Sequence, residues 1–305
     1  MKQSKAAIFV LLAGALWGSM GLFVRRLNAA GLYAMDVVLA RMLSALSVGA
    51  YDNAYFDVII GVFMLLFARK SFRIRLKDLW CFLGSGIVSL LLFSLCYFSG
   101  MQVTSLNVMA VLLYTSPAII MILSVVLFHE KLTKRKLLAL VMTFAGCCLV
   151  SGIGSESAVS MQGLLLGLGA GFFYALYSIF SRFAIDRGYG AWTITFYTFL
   201  FCMLADMPLA NWGAMAGAIA ADRTLLFWML GMGFVTAFLA FGFYTKGLEG
   251  MESSRAGILA STEPVVATLF GVFVFHERLT LPAIVGILLV LGGIVVLSGK
   301  KTAKA

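Results

Sequence analysis

Glutamate 263 stands inside an otherwise apolar stretch, STEPVVATLFGVFVF, from 261 to 275. A carboxylate in the middle of a membrane helix costs about 2.5 to 3.5 kcal/mol on insertion scales, so it must be protonated, paired or facing a wet space. Ala256, Ala260 and Ala267 share its helical stripe, leaving room beside it for solvent or for a close helix. Pro264 follows directly and removes a backbone donor, which frees carbonyls of the preceding turn. Three roles fit Glu263: carrying a proton, pairing with a cationic group of a solute, or bonding between helices as a structural carboxylate. Arg41, in the run LARML, is the natural opposite charge. It suits either a solute carboxylate or a lock between helices.

Other polar and aromatic side chains recur at helical spacing in apolar stretches. Ser85, Ser89, Cys96 and Ser99 lie on one face, and Asn107 and Tyr114 share another seven residues apart. Tyr174, Tyr177, Phe243, Tyr244 and Trp17 add aromatic walls. The expected solute-binding set is therefore Trp17, Ser89, Cys96, Asn107, Tyr114, Tyr174, Tyr177, Phe243, Tyr244 and Glu263. Glu263 and Arg41 are the coupling candidates. For each aromatic, packing against lipid or a neighbouring helix is the plainer alternative.

Catalysis and cofactor chemistry find no support. The two histidines sit in two copies of one phrase, HEKLT at 129–133 and HERLT at 276–280, with no clustered partner for a metal or a proteolytic site. No phosphate loop of the GxxxxGK[ST] type occurs, and GLGAGF at 167–172 misses dinucleotide spacing. The five cysteines lie in apolar stretches and fit small packing residues better than disulfides or metal ligands. No catalytic residue, metal or cofactor is expected.

The elements that must hold these groups follow from composition. Of 305 residues 62% are hydrophobic and only 12% charged, and mean hydropathy is +1.02. That composition belongs to a multi-pass membrane protein. The net charge of +10 falls in short clusters between apolar blocks, which excludes a nucleic-acid face. Apolar blocks near 6–24, 34–68, 79–99, 106–128, 135–152, 163–182, 190–210, 225–245, 255–275 and 282–298 predict an all-α fold of ten spans. The first continues well past the small residues AGA at 13–15 and ends at Arg25 and Arg26, so a spanning helix is expected there and not a cleaved leader.

With both termini in the cytoplasm, nearly all Lys and Arg fall on the inner side. Only Arg25, Arg26, Arg223 and Arg278 fall outside, and Arg41 lies within a span. The positive-inside rule selects that orientation in the cell membrane.

The chain also repeats itself. At an offset of 147 Gly100 matches Gly247, Thr115 matches Thr262, Pro117 matches Pro264, and the pentapeptides coincide. Nearer the start the offset is 157, pairing Gly14 with Gly171, Arg25 with Arg182 and Gly31 with Gly188. Residues 1–153 and 154–305 thus form two five-span repeats, and an odd number of spans inverts the second relative to the first, with a central cavity between them. The two pentapeptides then lie at opposite faces, as turns between consecutive spans, with Thr133 and Thr280 capping the following helices. The change of offset points to about ten extra residues before Trp80. YDNAYFDVIIGV at 51–62, within a 35-residue block worth about 52 Å of helix, reads as an insertion in the second span.

Taken together, GALWGSMGLFVRR, LARML, LLYTSPAIIMILSVVLFHEKLT and STEPVVATLFGVFVFHERLT resemble the EamA-type carriers of the drug/metabolite transporter superfamily. The likeness covers nearly the whole chain, and the segment 51–62 departs from the pattern. It implies a ten-helix carrier that exports or exchanges small metabolites, amino acids or drugs. Alternating access is the expected mechanism, with proton coupling through Glu263 as one option, and a membrane enzyme or a lipid-handling scaffold is the alternative. A small-molecule substrate and the bilayer are the expected partners, with no nucleic acid. Glycine spacings at 14 and 18, and at 163, 167 and 171, suit close helix packing within one chain or between the protomers of a homodimer.

The inverted topology makes a direct prediction. A membrane-impermeant maleimide should modify Lys134→Cys and Leu281→Cys from opposite sides of sealed vesicles, and labelling from the same side would exclude inversion.

Overall fold

A computed structural model describes residues 3–32, 74–152, 160–209 and 211–298. Arg41 and the segment 51–62 lie outside the described residues. What is described is helical: α1 Gln3–Ala29 and α2 Leu76–Val103, then α3 Leu106–Leu113, α4 Ser116–Phe128, α5 Lys134–Val150, α6 Met161–Asp186, α7 Ala191–Asp206 and α8 Trp212–Ala221. There follow α9 Thr224–Leu248, α10 Ser253–Ala260, α11 Thr262–Phe275 and α12 Leu281–Ser298. Seven helical stretches among the described residues are long and apolar enough to cross a membrane. Helices α5 and α7 occupy two further predicted blocks and are shorter, and the block 34–68 lies wholly outside the described residues.

Two expected spans are interrupted ahead of a proline, besides the block 6–24, which is interrupted at Ser19. The block 106–128 breaks at Tyr114 and Thr115, and the block 255–275 breaks at Ser261. Each break precedes a proline, Pro117 or Pro264, whose missing N–H leaves a carbonyl one turn earlier without its helical donor. Threonine hydroxyls add a bond one residue before the freed carbonyls of Leu113 and Ala260: Thr115 donates to the Leu112 carbonyl at 2.6 Å and Thr262 to the Leu259 carbonyl at 2.8 Å. The Ala260 carbonyl faces helix α1, where a Cβ on Gly14 would lie 3.1 Å from it. Sequence reasoning expected such carbonyls to be open to solute, but helix packing covers this one.

The same irregularities occur once in each half, at matching positions. The breaks pair with each other, and so do the wide-turned π segments at Gly84–Leu91 and Gly233–Leu239. Both pentapeptides begin with a histidine in left-handed backbone, φ 52° at His129 and 54° at His276. Both continue to a threonine N-cap, Thr133 accepting from the Lys136 N–H and Thr280 from the Ala283 N–H, each at 3.3 Å.

Helices α5 and α12, which correspond under the repeat, pack against each other and run antiparallel: Val150 lies by Gly286, and Ala139 by Gly293. A Cβ built on Gly146 would sit 2.6 Å from the Gly286 carbonyl, and one on Gly293 would sit 3.0 Å from that of Ala139. The two contacts are repeat images of each other, because Gly146 corresponds to Gly293 and Ala139 to Gly286.

The expected glycine stripes are also spent within the chain. Gly14 and Gly18 receive α10 and α11, while Gly163, Gly167 and Gly171 receive Thr104, Leu112 and Thr115. Helix α8 was not anticipated. Asn211 caps it by accepting from the Ala214 N–H at 3.0 Å, and Met215 anchors it beneath Leu27, Leu225 and Met229. At that end Arg26 pairs with Asp222 at 2.6 Å. The Thr224 hydroxyl and N–H, with Arg26, hold the Asp222 carboxyl below its ordinary range.

Because the α5–α12 contact admits no side chain, Gly146→Ala should lower stability in detergent by about 1–3 kcal/mol, the scale of overpacking. Gly21→Ala, where nothing lies within 4 Å of the added methyl, should melt no earlier than the parent.

Candidate functional site

The breaks determine where Glu263 sits. Sequence reasoning placed it mid-helix, whereas the structure puts it in the first turn of α11. There the positive end of the helix dipole favours a carboxylate. Part of the expected burial cost is therefore met by the backbone. Glu263 is half-buried and lies near Tyr97, Tyr114 and Cys147, drawn from α2, the α3–α4 break and α5. Its repeat mate is Ser116, and the two halves are chemically unequal here.

Beside this carboxylate lies an aromatic cluster at the seam of the repeats. Trp17 and Tyr174 hold the same position in each half, and their ring centroids are 6.3 Å apart. Trp17 also meets Phe241 at 5.0 Å and Tyr244 at 5.4 Å, while Tyr174 meets Phe93 at 5.4 Å. Each of the two thus packs on the middle helix of the opposite half as well as on its mate. Tyr114 stands close to Tyr97 and Tyr174. Trp17 is 4% exposed, and its Nε1–H has no hydrogen-bond partner among the described residues. A buried donor without a partner is costly, which marks the place where a solute acceptor would be favourable.

Most of the remaining predicted residues are tied elsewhere. Tyr177 exchanges a hydrogen bond with Thr245 at 2.6 Å, and Tyr244 with Ser178 at 2.7 Å, so both rings line the cluster while their hydroxyls are occupied. Ser89 donates to the Phe173 carbonyl at 2.9 Å and locks α2 to α6. Cys96 lies against Gly169 of α6. Phe243 turns away from Trp17, towards Phe9 at 5.7 Å and Trp192 at 6.4 Å. Asn107 is exposed at the first turn of α3 beside Gly152, far along its helix from Tyr114. Trp17, Tyr174, Tyr114, Tyr177, Tyr244 and Glu263 are therefore the predicted residues the fold brings together, and Phe93, Tyr97 and Phe241 join them. Two of these additions carried a readable signal. Tyr97 is the repeat image of Tyr244 on the helix already singled out through Cys96, and Phe93 stands about one turn before it on the same face.

Sequence reasoning treated HEKLT as a turn and missed a buried polar knot. The Glu130 carboxylate accepts from the Ser253 N–H at 2.7 Å, the Ser254 N–H at 3.2 Å and the Ser254 hydroxyl. Lys136 reaches Glu252 at 2.9 Å and Glu130 at 3.5 Å, with the Glu130 and Lys136 side chains only 7% and 5% exposed. Arg182 donates to the Ser253 hydroxyl at 3.2 Å and to the Met251 carbonyl. One carboxylate from the first half thereby caps a helix of the second.

Comparison with known proteins settles the lineage. The EamA-like transporter family matches the chain twice, over residues 4–152 and 161–299. The chain belongs to that family. A transporter of Archaeoglobus fulgidus is 30% identical over 200 residues, 66% of this chain and 70% of that protein. The transporter YwfM of Bacillus subtilis is 26% identical across 100% of this chain and 99% of its own length. The inner membrane transporter YicL of Salmonella typhimurium is 23% identical over 96% and 95%. A crystal structure superposes with a TM-score of 0.72 at 18% identity, covering 97% of this chain and 96% of that one, which shows a shared fold. The chain is a membrane transporter and not an enzyme.

The unpartnered indole generates a clear test of Trp17. Trp17→Phe removes a donor that bonds nothing described, so it should stay within about 1.5 kcal/mol of the parent in thermal melts. Trp17→Ala empties the seam and should cost about 3–5 kcal/mol.

Proposed function

We propose that the protein is a secondary transporter that moves small metabolites, amino acids or drugs out of the cell, or exchanges them, by alternating access. In this reading residues 1–153 and 154–305 are inverted five-helix repeats with both termini cytoplasmic, and 51–62 is an insertion in the second helix. The observation that carries it is the antiparallel packing of α5 on α12, helices that correspond in sequence. Equivalent helices running in opposite senses are what a carrier needs in order to have two mirror-related states about one site. The meeting of Trp17 and Tyr174 at the seam supports a site at that junction.

Within it, the rings of Trp17, Phe93, Tyr174 and Phe241 offer flat apolar faces and the Trp17 N–H a donor. Among the described residues of the cluster Glu263 supplies the charge, taking up a proton or a cationic group in one state and giving it back in the other. Arg41 belongs to the second span, where it either secures that helix or meets a solute carboxylate. A cluster of rings with few fixed polar partners suits solutes with an apolar or aromatic body.

A thermal-shift screen of amino acids, purines, sugars and quaternary cations should find a stabilising solute, since binding to the folded state raises its melting point. That shift should disappear in Tyr114→Ala and shrink in Trp17→Phe. In proteoliposomes, a proton gradient should drive transport by the parent but not by Glu263→Gln. Retention of the full shift in Tyr114→Ala would move the site elsewhere. Gradient-driven transport by Glu263→Gln would remove the proton role and keep the carrier.

A further inference from the structure

The two pentapeptide glutamates occupy equivalent positions yet sit in opposite circumstances. Glu130 is buried against the first turn of α10, whereas Glu277 is 50% exposed and pairs with Arg25, itself 54% exposed, at 2.5 Å. The loops that carry them have the same shape, with left-handed histidines and threonine caps at both, so the difference lies in docking and not in local fold.

The helices around them differ in the same sense. α4 packs along α10, and Ile120, 1% exposed, covers Gly257. The repeat image of that pair is Ala267 with Ala110, and there Ala267 is exposed and α11 does not pack comparably on α3. Helix α10 is buried along nearly its whole length, while Asn107 on α3 is exposed. Their capping differs as well. Ser105 caps α3 locally, accepting from the Val108 N–H at 3.2 Å. At the equivalent place Glu252 makes no such bond, and the first turn of α10 is held across the seam by Glu130.

We infer that Glu130 and Glu277 are alternating latches: Glu130 closes the HEKLT face by capping α10, and Glu277 leaves Arg25 to cap α3 when the HERLT face closes. The inference rests on the alternating-access reading, and the structure corresponds to the state with the first latch shut and the second open. The energetic logic is an exchange. Each closure gains charge-assisted hydrogen bonds to the N–H groups at a helix start, and each opening returns a carboxylate to water or to an exposed arginine. Lys136 strengthens the first latch. Its repeat mate is Ala283, so the second latch has no equivalent of Lys136 and the resting preference is for the state seen. Both glutamates are positioning residues, acting through helices and not on solute.

The test is a distance measurement by electron spin resonance between labels on Ala110→Cys and Ala267→Cys, with the five native cysteines replaced, in lipid nanodiscs. The parent should show mainly the long separation. Glu130→Gln should raise the ratio of short to long separations about tenfold, the scale of a lost charge-assisted hydrogen bond. Adding Glu277→Gln to that variant should reverse the gain. A purely structural role for Glu130 would lower the melting point and leave the ratio alone. If Glu130→Gln does not fold, Lys136→Met weakens the same latch and should shift the ratio in the same direction. An unchanged ratio in these variants overturns the latches. If Lys134→Cys and Leu281→Cys label from opposite sides all the same, the alternating-access reading survives that result. If they label from one side, the reading itself fails.

Discussion

Backbone satisfaction inside lipid is the constraint on which the rest of this structure depends. With no water available, every carbonyl and N–H within the bundle needs an internal partner, and this chain nevertheless interrupts several of its spans. At the two proline breaks it does so where Thr115 and Thr262 can donate back to the turn before, and where glycines of α1 and α6 bring another helix against the opening. The interruption yields a new helix start deep in the molecule. That start can hold Glu263, a charge which a continuous helix would hold at greater cost.

Much of the fold could be read from the sequence because lipid and duplication leave strong marks. Apolar blocks of spanning length located the described helices, and the two repeat offsets matched elements that the structure places in corresponding roles, down to paired π segments and paired caps. The breaks at Tyr114 and Ser261 were not foreseen. A proline inside an apolar run signals a defect, but hydropathy does not show whether the helix bends, breaks or gains a bond from a hydroxyl. Helix α8 was missed because ten apolar residues are too few to span, and its anchoring by Met215 is a tertiary matter.

The site was legible in part, for a physical reason. Residues that recur in both halves and face the seam, such as Trp17 and Tyr174, are brought together by symmetry, and sequence comparison finds them. Residues chosen by helical face alone fared differently. Phe243 and Tyr244 are neighbours in sequence, yet about 100° of rotation separates them on the helix, and only Tyr244 meets Trp17. Ser89 was chosen for its polarity, and its hydroxyl serves a carbonyl of α6. The capping role of Glu130 was overlooked because the N–H groups it caps are 123 and 124 residues away in sequence.

The π segments of α2 and α9 bear on how such a bundle can change shape. A wide turn holds one residue more than its neighbours, and sliding it along the helix re-aims only the side chains it passes, each by about 100°. The ends of the helix stay anchored throughout. Ser85 and Ser89 in one segment, and Thr236 and Phe238 in the other, are buried side chains within those wide turns. A shift of that kind in α2 would re-register its bonds to Thr198 of α7 and to the Phe173 carbonyl of α6 in discrete steps, without hauling the whole helix through the lipid.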